Sequence, residues 1–281
     1  MAFLLGIAAA TLLTLLALLT VIILEHVGPR ERYSLRDRLP GVMMDATGTF
    51  LSFALVSPLS WAWAKLGLAP LIMIPLWQWL ASLGSLGYAF QIILFVVLAD
   101  LLTYWRHRAE HAWFWPIHVV HHAPRELHAA NDIGHPLQIL INFAFVSVPL
   151  SLIQFDGPEA PFAVGAIVGI ANMYIHSPVE WHFGPLRKLI VDNRFHRIHH
   201  SLEERHFDKN FGICFSFWDY LFGTAYEPGE EWPAVGVDGV PAPRNVAQYL
   251  CLPFTIRRRT QEIASADPAT SVLASGMQQE A

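Results

Sequence analysis

Charge is scarce in this chain. Only 15% of its 281 residues are Asp, Glu, Lys or Arg, against about a quarter in an ordinary soluble domain, which excludes the solvated surface such a domain needs. With 54% hydrophobic residues and a positive mean hydropathy, the sequence reads as a membrane protein. Cysteine is nearly absent as well. Cys214 and Cys251 stand alone without CxxC spacing, so neither a disulfide framework nor a thiolate metal site is available. A net charge of −5 gives no basic field for nucleic acid. No Gly-rich phosphate loop, dinucleotide fingerprint, cytochrome b5 domain or internal repeat is visible in the sequence. Met1 to Leu24 contains no charged residue and no Lys or Arg precedes the run. The positive n-region of a cleaved signal peptide is missing, and a retained anchor helix is expected.

Apolar runs long enough to span a bilayer, which takes roughly 20 residues, occur at about 3 to 24, 46 to 65, 86 to 104, 137 to 155 and 160 to 177. A further run at about 68 to 83 is shorter and interrupted by Pro70 and Pro75, so it is read as re-entrant. Arg30, Arg32, Arg36 and Arg38 follow the first run closely, and the positive-inside rule puts that loop in the cytoplasm. Counting onward, the third and fifth spans both end on the cytoplasmic side. The expectation is an all-α, multi-pass protein with about five transmembrane helices and a cytoplasmic helical cap. Residues 1–85 form an N-terminal membrane anchor region, 86–259 the catalytic domain and 260–281 a disordered tail. A bacterial plasma membrane is expected rather than the endoplasmic reticulum.

Histidine is the abundant exception. Of 14 in the chain, 13 fall between His107 and His206. They form His107-Arg-Ala-Glu-His111, His118-Val-Val-His121-His122 and His196-Arg-Ile-His199-His200. Residues three and four apart share a helix face, so each cluster aims at least two imidazoles at one point. Pro116 suits the first turn of a helix carrying the second cluster. His176 ends the fifth span, one turn after Asn172. These imidazoles exceed what one ion of four to six ligands can use, which indicates two metal ions, and spacing alone leaves Fe, Zn, Cu and Ni open. Asp100, two turns before His107, is expected to accept the second N–H of a bound imidazole. His128 and His135 are candidates for the surroundings of the metals or for facing substrate. Glu110 and Glu180 are read as solvated or paired.

Together with Asp100-Leu-Leu-Thr-Tyr104-Trp105, His135-Pro136, Phe207-Asp208-Lys209-Asn210-Phe211-Gly212 and Trp218-Asp219 to Thr224, the clusters resemble the fatty acid hydroxylase superfamily over roughly residues 90 to 227. That superfamily includes sterol desaturases, sterol methyl oxidases and alkylglycerol monooxygenase. The resemblance implies a membrane-bound non-haem di-iron centre that uses O2 and two electrons to hydroxylate or desaturate a lipid. The implied ligands are His107, His111, His118, His121, His122, His176, His196, His199 and His200, with Asn172 reaching iron through water. Asp208, Asn210 and Asp219 would orient imidazoles or simply cap helices and turns. Electrons would come from a separate donor, a ferredoxin or a cytochrome b5-type protein with its reductase. For that donor Arg187, Lys188, Arg194 and Arg197 offer a basic face, whose other reading is topology and headgroup contact. Trp105, Trp113, Phe114 and Trp115 would line a lipid entry or anchor the interface. A histidine-rich metal transporter or metal-binding protein without oxygenase activity, and a haem protein, are the competing readings. Sterol, acyl chain, sphingoid base, glycerol ether and aminolipid headgroup all stay open as substrates.

Overall fold

The computed structural model describes residues 16–68, 70–154 and 159–266, with only the backbone described for 159–163 and 257–266. Helix α1 is Leu16–Val27, so the earlier part of the first expected span lies outside the described residues. α2, Leu35–Lys65, starts well before the hydropathy signal at 46. The cause is local: Ser34 and Asp37 form a capping box, each side chain accepting from the other's backbone N–H, and such a box fixes a helix start whatever follows it. Arg36 and Arg38 are therefore helical and not in the expected loop. Arg38 is buried against Glu25 of α1 in an ion pair.

The segment at 68–83 contains only the eight-residue helix α3, Pro75–Ser82, about 12 Å long, too short to cross about 30 Å of hydrocarbon. Before it, the backbone of Leu71 and Ile72 donates to Leu152 O. Gly84, with φ +65°, turns the chain into α4, Gly84–Trp113. The turn is tight: a Cβ on Gly87 would lie 1.7 Å from Leu80 O. α5 is Trp115–His122, with Pro116 in its first turn. α6, Gln138–Ser151, carries a π-helical turn at Phe143–Ser147. α7 is Glu159–Ile175, α8 Asn193–His199, α9 Phe217–Phe222 and α10 Val246–Ala266. The backbone of α10 thus runs into the tail expected to be disordered, of which 267–281 lie outside the described residues. No strand occurs among the described residues, only isolated bridges.

Two helices, α2 and α4, are long and apolar enough to cross a membrane, and α1, α6 and part of α7 are shorter apolar helices. Their outer faces leave large side chains uncovered, with Phe50 at 70%, Trp61 at 66% and Leu86 at 64% exposure, as lipid-facing helices do. Trp63 near the end of α2 donates to Ser151 Oγ at the end of α6, while at the other end Gly41 approaches Ala130 O and Gly48 approaches Tyr249 Oη. α2 and α6 therefore run side by side in one direction. A buried cluster including Phe95, Ala99, Ile175, Phe195 and Ile213 ties α4 and α7 to α8 and the loop after it. Every histidine cluster sits at this end of the helices.

Candidate metal centre

α4 presents His107 and His111 in its last two turns, α5 presents His118, His121 and His122, and His176 follows α7 directly. α8 carries His196 and His199, and His200 caps it. The short α8 is set by Asp192, which accepts from Phe195 N at 2.9 Å as N-cap and also holds Arg187 and Phe183 N. These nine imidazoles separate into two groups whose nitrogens converge within 4.8 Å: His107, His111, His118, His122 and His199 in one, His121, His176, His196 and His200 in the other. In the first, His118 Nε2 lies 3.0 Å from His107 Nε2 and 3.1 Å from His122 Nε2. In the second, His176 Nε2 lies 3.1 Å from His196 Nε2 and 3.3 Å from both His121 and His200.

Protons account for only part of these contacts. A neutral imidazole has one N–H, and several rings already donate it outward from Nδ1. His107 donates to Phe211 O at 2.9 Å, His199 to Lys209 O at 2.7 Å, His176 to Asn172 O at 2.7 Å and His111 to Asp208 Oδ1 at 3.0 Å. Their Nε2 atoms therefore carry lone pairs turned inward on the other rings, and His199 Nε2 is buried with no partner. Second protons are disfavoured too. Burial first, and neighbouring rings second, hold His118, His122, His196 and His200 well below the ordinary imidazole value. A bound cation would satisfy the lone pairs that remain. Metal–imidazole bonds of about 2.0–2.1 Å put ligand nitrogens about 3.0–3.4 Å apart around six- or four-coordinate ions, so each group has the donor set and spacing of a metal site.

One loop supplies three of the outward acceptors. Asp208, Lys209 O and Phe211 O serve His111, His199 and His107, and Asp208 and Asn210 flank Lys209 with φ of 56° and 58°, a conformation Asp and Asn tolerate. Asn210 fixes the loop by donating to Phe195 O and Tyr226 O and accepting from Tyr226 N. Asp219 accepts from Phe211 N and Gly212 N, both at 2.8 Å. Asp208 thus touches an imidazole, while Asn210 and Asp219 hold the backbone that does. Asp100 corrects its expectation. It accepts from Cys214 N and Phe215 N, both at 2.9 Å, because α4 packs its middle against this same loop and not against a ring.

Two acids escaped the sequence reading in these roles. Glu110, buried and held by Arg106 at 2.6 Å, brings Oε2 to 3.3 Å from His118 Nδ1. Asp132 sits 3.7 Å from Nδ1 of both His121 and His176, and burial pushes its carboxyl up to about 8. The Asn172 amide donates to Asp132 Oδ2, so in this structure its side chain faces the acid behind the rings. His128 is buried beside Tyr33, and His135 bonds the backbone of Leu250 and Leu137. His182 accepts from Gly184 N, and His206 bonds Ser201 Oγ. Glu180 is exposed.

The basic face is largely spent internally. Arg187 pairs with Asp192, Arg194 with Glu230 and Arg197 with Glu31, leaving Lys188 exposed at 4.0 Å from Glu227. Two cavities meet at His111 and Asp208. One of about 360 Å³ reaches His122 and His199 past Trp115 and Phe207, and one of about 430 Å³ is lined by Trp105, Arg108, Trp113 and Phe145. Phe114 lines neither and packs towards Phe145.

Residues 92–224 match the fatty acid hydroxylase family. The chain is similar to an ornithine lipid hydroxylase of Rhizobium tropici, 31% identical over 189 residues, covering 66% of this chain and 56% of the relative. It is also similar to alkylglycerol monooxygenase of Homo sapiens, 30% identical over 129 residues, 44% of this chain and 28% of the relative. A very-long-chain aldehyde decarbonylase of Oryza sativa subsp. indica is 30% identical over 145 residues, 47% and 23% respectively. The chain spans 56% or less of the length of these relatives. No solved structure matches.

Proposed function

We propose, for a chain whose residues 92–224 belong to the fatty acid hydroxylase family, a membrane-bound non-haem di-iron oxygenase that hydroxylates or desaturates a lipid. The observation that carries this reading is the division of nine inward-facing imidazoles into groups of five and four. Bound iron would supply activation of O2, with two electrons from a separate ferredoxin or cytochrome b5-type donor. The names of the similar proteins, which refer to ornithine lipid, alkylglycerol and long-chain aldehyde, support a lipid as substrate.

The chain's own part is to hold and orient. His107, His111, His118, His122 and His199 would hold one iron, and His121, His176, His196 and His200 the other. The carbonyls of Lys209, Phe211 and Asn172 fix which ring nitrogen carries the proton. Burial holds the other eight rings, all but His111, below the ordinary imidazole value and shields them from bulk water. His111, the least buried of the nine, forms a wall of both cavities, which makes it the ligand nearest a lipid entering between Trp105 and Trp113. The end of the helices that bears the site is assigned to the cytoplasmic side by the Arg-rich stretch after α1. A transporter would carry its ligands along a path near mid-bilayer, whereas in this reading the rings lie beyond the span ends.

Purified protein is expected to contain close to two irons per chain, and His107→Ala or His196→Ala about one. A wild-type content well under two, or an unchanged content in His121→Ala, overturns the di-iron assignment. Lipid extracts of cells with and without the gene should differ by a species heavier by one oxygen or lighter by two hydrogens. Identical extracts, with the iron present, would count against lipid oxidation.

A further inference from the structure

A third cluster of metal-ligating side chains lies apart from the nine imidazoles. Glu203, His206 and Glu231 each bring one ligand atom within 4.8 Å of the others. Two segments supply them. His206 ends the short turn Glu204–His206, and Glu231 lies in the chain beyond α9. Leu202 N donates to Ala234 O at 3.0 Å, which lays these segments side by side.

His206 is the informative member. Its side chain is fully buried, and Nε2 has no hydrogen-bond partner although Glu231 Oε2 is only 3.4 Å away. Distance permits a hydrogen bond there, so direction is what prevents it: a proton on Nε2 would point past the carboxylate oxygen. Two ligands of a tetrahedral ion, with bonds of about 2.1 Å, sit about 3.4 Å apart and aim between one another at the ion. On its other side the ring is fixed by Ser201 Oγ, 2.8 Å from Nδ1, the outward hydrogen bond that leaves Nε2 free to ligate. A buried imidazole nitrogen beside two carboxylates is a donor set for zinc.

Arg205 leaves that nitrogen unanswered. Its Nη2 lies 2.7 Å from Oε2 of both Glu203 and Glu231, so one guanidinium serves two carboxylates and one negative charge remains. A carboxylate accepts at about four positions, and the arginine can stay while an ion binds. Tyr226 Oη donates to Glu231 Oε1 at 2.9 Å and orients it from the far side. Both carboxylates are partly exposed, which gives an ion a way in without opening the fold.

We propose that Glu203, His206 and Glu231 bind one zinc ion, with water in the fourth position, and that this ion staples the turn before Phe207 to the segment around Glu231. Ser201, Leu202 and Phe207 line the cavity that reaches His122 and His199, so the staple braces one wall of it. The site shares no residue with the nine imidazoles and stands independently of the di-iron reading. Full-length, iron-loaded protein in detergent would be dialysed against zinc, desalted, and its zinc and iron counted by mass spectrometry. Wild type is expected to hold one more zinc per chain than His206→Gln or Glu203→Gln, and His107→Ala to keep that zinc. Glu203 is exposed, so its variant tests the site even where His206→Gln fails to fold. Ser201→Ala, which removes the partner of Nδ1, should weaken zinc binding about tenfold in competition with a chromophoric chelator. Equal zinc in wild type and both glutamine variants overturns the proposal, as does an extra zinc that leaves with His107→Ala. Iron is counted in the same samples, so failure of the di-iron reading shows as missing iron and failure of this site as a missing difference in zinc.

Discussion

Asp219 touches no imidazole, yet its two oxygens hold Phe211 N and Gly212 N in place beneath the carbonyl that orients His107. Asp219→Ala leaves both buried N–H groups unpaired and is expected to cost about 1–3 kcal/mol for each, read as a lower melting temperature. Iron in the group of five should fall with it, and Asp219→Asn should restore part of both. On the other group, Asp132→Ala and Asn172→Ala should alter the electronic spectrum of the loaded protein alike, because the amide acts through the acid. A shift with Asn172→Ala alone would instead put Asn172 at the metal. Acid sensitivity follows from the same rings. The folded-state values of His118, His122, His196 and His200 lie below the unfolded value, so below about pH 6.5 the unfolded chain binds protons that the folded chain refuses. Stability of metal-free protein is therefore level above that pH and falls as pH drops from about 6.5, by up to about 1.4 kcal/mol per group per pH unit. Melting temperatures that stay flat from pH 7 to pH 5 would contradict it.

Elements differ in how far the sequence discloses them. The convergence of the clusters His107–His111, His118–His122 and His196–His200 was legible because histidines carry their own signature and repeat at helical spacing. Pro116 marked the start of α5 for the same reason, since its restricted backbone suits a first turn. The acceptors behind the rings were not legible: Phe211 O, Lys209 O and Asn172 O are backbone groups, and any residue type has one. Asp208 and Asn210 were the available hint, two residue types that accept a left-handed turn on either side of Lys209. Asp132 was missed because it lies in a loop without periodicity, and Asp100 misassigned because helical spacing gives direction but not the partner met there. α2 began early because hydropathy averages over a window while a cap acts at one residue. The corner between α3 and α4 offers a test at this scale. Gly87→Ala forces a Cβ against Leu80 O and should cost about 1–3 kcal/mol. Gly165→Ala in α7, where no atom lies within 4 Å, should be neutral or stabilise by up to about 1 kcal/mol. Thermal melting of the two variants in one detergent compares them.

At the scale of the molecule, the long helices act as supports. α2 has 31 residues, about 46 Å at 1.5 Å per residue, while a bilayer core is about 30 Å thick. In the membrane placement proposed above, the surplus at the start of α2, with Gly41 against Ala130 O and Gly48 against Tyr249, and the last turns of α4, with His107 and His111, would carry the histidine groups clear of the hydrocarbon. The length of α2 has a further consequence, hydrophobic mismatch. A thicker bilayer brings the acyl region closer to the mouth of the cavity between Trp105 and Trp113, and a thinner one draws it away or tilts the helices. Reconstitution into vesicles of phosphatidylcholines whose chains lengthen stepwise should give an optimum of lipid turnover at one thickness, with iron content constant throughout. The helices that would lift the histidine groups out of the membrane would then also act as a gauge, matching the chain to membranes of one depth.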